Sequence, residues 1–97
     1  MMSAVLRVVR NQSGEHVGHS FYCPGCSCEH HVDLSWQFNG DFTKPTLTPS
    51  VLVNGRPEVN GPGMLRCHSF VRDGRLEFLS DCDHALAGSV VDIPESR

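Results

Sequence analysis

The chain has 97 residues and a mass of 10.7 kDa, which leaves room for one core and excludes a multidomain enzyme or a large cofactor-binding fold. Eight Lys and Arg against 11 Asp and Glu give a formal charge of -3, which excludes a general electrostatic grip on nucleic acid. No run approaches the ~18 apolar residues of a membrane span, and Met1 to Arg10 lacks the apolar core and cleavage pattern of a secretory signal, so a soluble, cytoplasmic protein is expected.

Apolar residues make up 39% of the sequence, below the roughly 45–50% of ordinary globular chains, so hydrophobic burial alone leaves the fold short of stabilisation. Five cysteines and six histidines offer a remedy. In a reducing compartment an odd number of cysteines favours metal thiolates over a disulfide framework.

In chain order, strand-length apolar segments fall at residues 4–9, 17–22, 51–53, 65–71, 76–79 and 89–93. Turn-forming clusters separate them: residues 11–14, Pro24-Gly25, Asn39-Gly40-Asp41, Asn54-Gly55, residues 60–63 and Asp73-Gly74. No segment sustains a 3.6-residue period, although residues 83–87 could form one helical turn before Gly88. The sequence therefore predicts one mainly β domain over residues 1–97, built from antiparallel hairpins and stapled by a structural zinc.

Asp73-Gly74 predicts a two-residue type I′ turn, and the register then follows by counting. Arg72 faces Arg75, Val71 faces Leu76, Ser69 faces Phe78 and Cys67 faces Ser80, with Leu65 opposite Cys82. Continued that far, the ladder puts Cys67 and Cys82 on one face as diagonal neighbours, about 7–8 Å apart or less. It puts His68 and Asp81 in the same relation on the other face.

Cys23-Pro24-Gly25-Cys26 is a C-x-x-C turn, the spacing at which two thiolates from one loop reach adjacent corners of a zinc tetrahedron. A redox motif of this spacing would open a helix, and nothing helical follows Cys26. The hairpin register selects Cys67 and Cys82 as the remaining Zn2+ ligands, with His30 or His84 as rivals for one position. Cys28 and His31 are read as neighbours of the site, and His16 and His19 as solvated. Trp36, Phe38 and Phe42 read as core.

Ser50, after Pro49, stands where an extended approach meets the strand at residues 51–53. Most simply it is an edge hydroxyl. As a nucleophile it would need a base within hydrogen-bond reach, and His68 backed by Asp81 is the most economical pair. His84 is an alternative base or a turn cap.

Several strings together resemble a known family: Phe21-Tyr22-Cys23-Pro24-Gly25-Cys26, His30, residues 36–41, Lys44-Pro45-Thr46-Leu47-Thr48-Pro49-Ser50, Cys67-His68-Ser69-Phe70 and residues 80–88. These are small phage and prophage proteins often labelled "ammonia monooxygenase". That label does not suit a 97-residue chain with no transmembrane helix and no copper or iron ligand cluster. More distantly, the order of Cys-rich turn, Pro49-Ser50-Val51 and His68 before Gly74 is similar to a peptidase family of bacterial ubiquitin-like conjugation operons. There a Ser precedes the histidine where this chain has Cys67. The resemblance implies serine-protease chemistry on a zinc-supported β scaffold, with Ser50 and His68 at the matching positions. Two functions stay open at this point: a serine-type peptidase acting on a protein tail or a ubiquitin-like conjugate, and a non-catalytic zinc module that binds a host or phage protein. Either implies a protein or peptide partner, with no nucleic acid and no membrane.

Overall fold

A computed structural model describes residues 4–53 and 66–95, and among these there are eight strands and no helix. They are β1 (Arg7–Arg10), β2 (His16–Cys23), β3 (Cys28–Asp33), β4 (Gln37–Phe38), β5 (Leu47–Val53), β6 (Cys67–Arg72), β7 (Arg75–Phe78) and β8 (Val90–Asp92). One sheet has the order β1-β2-β3 and the other β4-β5-β6-β7-β8. Every pairing is antiparallel and joins sequence neighbours, as a chain of short strands and tight turns dictates.

The alternation of the sequence is the alternation of burial. On β6, Cys67, Ser69 and Val71 are buried while His68 and Phe70 lie on the outer side, and on β7 Leu76 and Phe78 turn inward. Leu6, Phe21 and Val32 from the three-stranded side meet Leu47, Val51, Val71, Leu76 and Phe78 in one core, which also takes in Cys23, Cys67 and Cys82.

The hairpin pairs Arg72 with Arg75, Val71 with Leu76 and Ser69 with Phe78, the expected register. Asp73 and Gly74 have φ of 49° and 77°, the two positive angles of a type I′ turn. The turn docks against the segment before β5: Gly74 N–H donates to Pro45 O at 3.0 Å, and a Cβ on Gly74 would lie 3.1 Å from Lys44 Cα and Thr43 O. Close approach as well as φ demands glycine here.

Beyond Phe78 the expected ladder does not continue. Leu79 N–H still donates to His68 O at 2.9 Å, but the chain then turns, with Cys82 N–H donating to Leu79 O at 3.2 Å. The pairing of Cys67 with Ser80 is replaced by this turn, and Leu65, along with the turns at Asn54-Gly55 and residues 60–63, lies outside the described residues. Residues 83–87 make a turn in which Ala87 N–H donates to His84 O at 3.2 Å.

Three local expectations change. β3 carries few strong strand formers, yet its alternation buries His30 and Val32 while Cys28 and His31 stay exposed. β5 begins at Leu47 and runs through Pro49, which follows a cis Thr48–Pro49 bond. His19 is buried, 6% exposed, because β2 is the central strand of its sheet; its ring packs 4.7 Å from that of Phe38 and 6.0 Å from that of Phe42, while His16 is exposed.

Candidate active site and metal centre

β2 and β3 are joined by the Cys23-Pro24-Gly25-Cys26 turn, with Cys23 paired to Cys28. This turn lies against the inner face of β6 and the 79–84 segment, so Cys23, Cys26, Cys67 and His84 bring ligand atoms within 4.8 Å of one another. All five cysteines are free thiols. Around a tetrahedral zinc with Zn–S near 2.3 Å, two sulfurs lie about 3.8 Å apart. The Cys23 and Cys67 sulfurs are 3.8 Å apart, and His84 Nε2 is 3.4 Å from Cys67 Sγ. The donor set therefore fits a tetrahedral ion with three thiolates and one imidazole.

Gly25 makes the fourth position possible. A Cβ there would sit 2.4–2.7 Å from atoms of the His84 imidazole, so the ring occupies the space that any side chain at position 25 would need. The other side of the ring meets Phe78 edge to face at 4.6 Å. Leu86 N lies 3.2 Å from His84 Nδ1, and Nε2 faces the sulfurs.

Charge at the cluster tells the same story. Cys23 is drawn down to about 4, chiefly by hydrogen bonding from Cys67 and with help from His30, against the cost of burial. Cys67 is pushed up because it is the thiol that donates to Cys23 and because it is buried. Burial and the neighbouring Cys23 push Cys26 up to about 11. Among themselves the three sulfurs accommodate one negative charge; a divalent cation is what would let all three ionise.

Cys82, expected as a ligand, stands outside this group. The turn that ends the ladder at Leu79 rotates its sulfur onto the β6 backbone, where it accepts from His68 N–H at 3.2 Å and lies 3.1 Å from His68 O. His84, the rival, takes the place assigned to Cys82. His30, the other rival, is buried beside Phe21 and Cys23, with Nε2 unpartnered, and supports the cluster from behind. Cys28 and His31 are exposed on β3.

The outer face of β6 holds a second constellation. His68 Nε2 lies 3.0 Å from Ser50 Oγ, and its Nδ1 lies 3.3 Å from Asp81 Oδ2. Ser50 reaches the ring because β5 bulges. Between the pairs Leu47–Val71 and Val51–Ser69 the β5 strand has two more residues than β6, so Thr48, Pro49 and Ser50 arch out of the ladder. Pro49 has no N–H to lose in such an arch, and its carbonyl accepts from Trp36 Nε1 at 2.9 Å. Trp36 thus holds the residue before Ser50, a role beyond the packing expected of it; the sequence offers only its indole donor as a clue.

Asp81 arrives by the turn after Leu79 instead of the diagonal of a continued ladder. Ser50 is half-buried, and the side chains of His68 and Asp81 are 24% and 45% exposed, so a reagent in solution can reach all three. A hydroxyl, an imidazole and a carboxylate in that order can act together: the ring accepts the hydroxyl proton as oxygen attacks a carbonyl, and the carboxylate holds Nδ1–H and stabilises the imidazolium.

This arrangement is the one that defines serine hydrolases, here on an all-β scaffold with a cluster of metal donors behind it. The family described as the bacterial ubiquitination-like system serine protease, BubE, matches residues 2–79, and the chain belongs to it. The matched span includes Ser50 and His68 and stops short of Asp81 and His84. No curated protein and no solved structure matches the chain.

Proposed function

We propose that the protein is a serine-type peptidase that cleaves after an extended protein tail or at a ubiquitin-like conjugate, with Ser50 as nucleophile, His68 as general base and Asp81 as the orienting carboxylate. The observation that carries this reading is the continuous Ser50–His68–Asp81 hydrogen-bonded line on an accessible sheet face. Membership of a serine protease family supports the reaction class. The bulge that aims Ser50 out of the ladder is the local distortion such a nucleophile needs.

In this reading Ser50 O–H donates to His68 Nε2 and Nδ1–H donates to Asp81. Attack on the scissile carbonyl transfers the serine proton to Nε2, and the same proton passes to the leaving amine as the acyl-enzyme forms. Water then repeats the step with His68 again accepting a proton. Cys23, Cys26, Cys67 and His84 would hold zinc, whose closed four-ligand shell supplies folding free energy and no reactive water. The test is labelling by a fluorophosphonate probe, together with cleavage of a ubiquitin-like protein bearing a C-terminal extension. The unmutated protein should react with both, and Ser50→Ala should lose activity on the order of 10⁴-fold or more with metal content unchanged. Labelling that persists in Ser50→Ala would overturn the assignment.

A further inference from the structure

In a regular two-residue hairpin, His68 and Leu79 would exchange two backbone hydrogen bonds, as the next pair beyond Ser69 and Phe78. Only one is made, from Leu79 N–H to His68 O at 2.9 Å. Leu79 O instead accepts from Cys82 N–H, closing the turn that delivers Asp81. That leaves His68 N–H without its strand partner, and a buried backbone donor left unpaired is destabilising. The Cys82 thiol fills the gap: Sγ accepts from His68 N–H at 3.2 Å and donates to His68 O at 3.1 Å. Cys82 is 8% exposed, so water does not compete freely for the same groups.

We infer that Cys82 is a positioning residue of the active site, its thiol standing in for a strand backbone so that the chain can leave the ladder and bring Asp81 to His68. A regular ladder through Leu79–Cys82 and a turn carrying Asp81 are mutually exclusive; the thiol lets the second form without leaving His68 N–H unpaired. The segment is further secured by Asp83 N–H to Arg66 O at 2.9 Å and Arg66 N–H to Asp83 Oδ2 at 2.8 Å. Cys82 touches neither Ser50 nor a substrate; it acts through the backbone of the base and the turn of the carboxylate. The inference deepens the peptidase reading and rests on it for its kinetic consequence, while the backbone bracket stands on its own.

The experiment compares Cys82→Ala and Cys82→Ser with the unmutated, metal-replete protein. In Cys82→Ala the maximal rate of fluorophosphonate labelling should fall about ten- to a hundredfold, the range a misplaced catalytic group produces, with the half-saturating probe concentration unchanged. The His68 amide should exchange its hydrogen about tenfold faster or more. Zinc should remain at one equivalent in both variants. Cys82→Ser keeps a donor and an acceptor at the same position and should recover both readouts to within a few-fold. Unchanged labelling and unchanged His68 amide protection in Cys82→Ala would overturn the inference. So would loss of zinc in that variant, which would make Cys82 a ligand. Should the unmutated protein itself resist labelling, the peptidase reading fails while the amide exchange still decides the role of Cys82.

Discussion

The two faces of β6 carry different kinds of work one residue apart. Cys67 points inward and is 1% exposed, among sulfurs whose charge is strongly redistributed by burial and by one another. His68 points outward to a hydroxyl and a carboxylate that solvent reaches. The 79–84 segment repeats the division, with Asp81 serving the outer face and His84 the inner. In this 97-residue chain the outer constellation thus stands on backbone whose inner face belongs to a cluster that could hold a metal ion. Disturbing the inner face should remove both features; disturbing the outer face should remove only the chemistry.

The largest break comes from the inner face. If the cluster holds zinc as proposed, Cys23→Ser, or a chelator strong enough to strip that ion, should unfold the domain. Apparent binding free energies of structural zinc in finger peptides are about 10–16 kcal/mol, as large as the ~5–15 kcal/mol of a domain's whole stability. Far-UV circular dichroism and fluorophosphonate labelling should be lost together. Retention of folded structure in Cys23→Ser would separate the cluster from the stability of the outer face. Ser50→Ala is the opposite arm, silencing labelling with thermal stability and zinc intact.

Gly25→Ala gives a smaller and sharper contrast. The added methyl would meet the His84 ring at 2.4–2.7 Å, and overpacking of this kind costs about 1–3 kcal/mol. The ring must shift to make room, which draws Nε2 from the sulfurs, so zinc affinity should fall by about five- to a hundredfold while the protein still folds in excess zinc. Competition against a zinc indicator measures this. An unchanged affinity would show that His84 does not ligate.

How much of this was readable from the sequence depends on whether a local rule or a long-range consequence decided it. The Asp73-Gly74 turn and its register were readable because two positive φ angles select few residues and a period of two admits one register. The C-x-x-C turn was readable because its spacing is set within four residues. The outer trio was named from chemistry, as the nearest base and carboxylate for Ser50, and the structure brings those three side chains together; its expected diagonal route for Asp81 is replaced by a turn. The choice of His84 over Cys82 beside the other sulfurs was not readable, since extending the ladder by three pairs beyond Leu79 sets Cys82 next to Cys67, whereas the turn lays its sulfur on the His68 backbone. A hairpin's register stays reliable only while each residue's backbone has a strand partner, and Leu79 gives its carbonyl to Cys82 instead. β3 does not stand out in the sequence because Val32 is its only β-branched or aromatic residue and Glu29 and Asp33 disfavour strands, although burial of His30 and Val32 follows the period of two.

His19 reads as solvated for a related reason: a histidine between Gly18 and Ser20 looks exposed until a neighbouring strand is placed on each side of it. It supplies the smallest test, a buried imidazole that belongs neither to the sulfur cluster nor to the Ser50 line. Burial, with a lesser contribution from His16, holds its pKa below the ordinary 6.5, and Nε2 has no hydrogen-bond partner. The rings around it are those of Phe38, Phe42 and His16, and none of them supplies a negative charge to an imidazolium. The sign follows from proton counting. Above about pH 6.5 His19 is neutral in folded and unfolded chains alike, and its contribution to stability does not change with pH. Below it the unfolded chain binds a proton that the folded chain refuses, so stability falls as pH drops, by up to about 1.4 kcal/mol per pH unit, until the lowered folded-state pKa is reached. His19→Leu, close to isosteric and unable to titrate, should flatten the denaturation midpoint between pH 6.5 and 5 relative to the unmutated chain. Labelling at Ser50 and zinc content, both compared at pH 7.5, should be unchanged. An equally steep loss of stability in His19→Leu would show that His19 is not the source of the acid sensitivity.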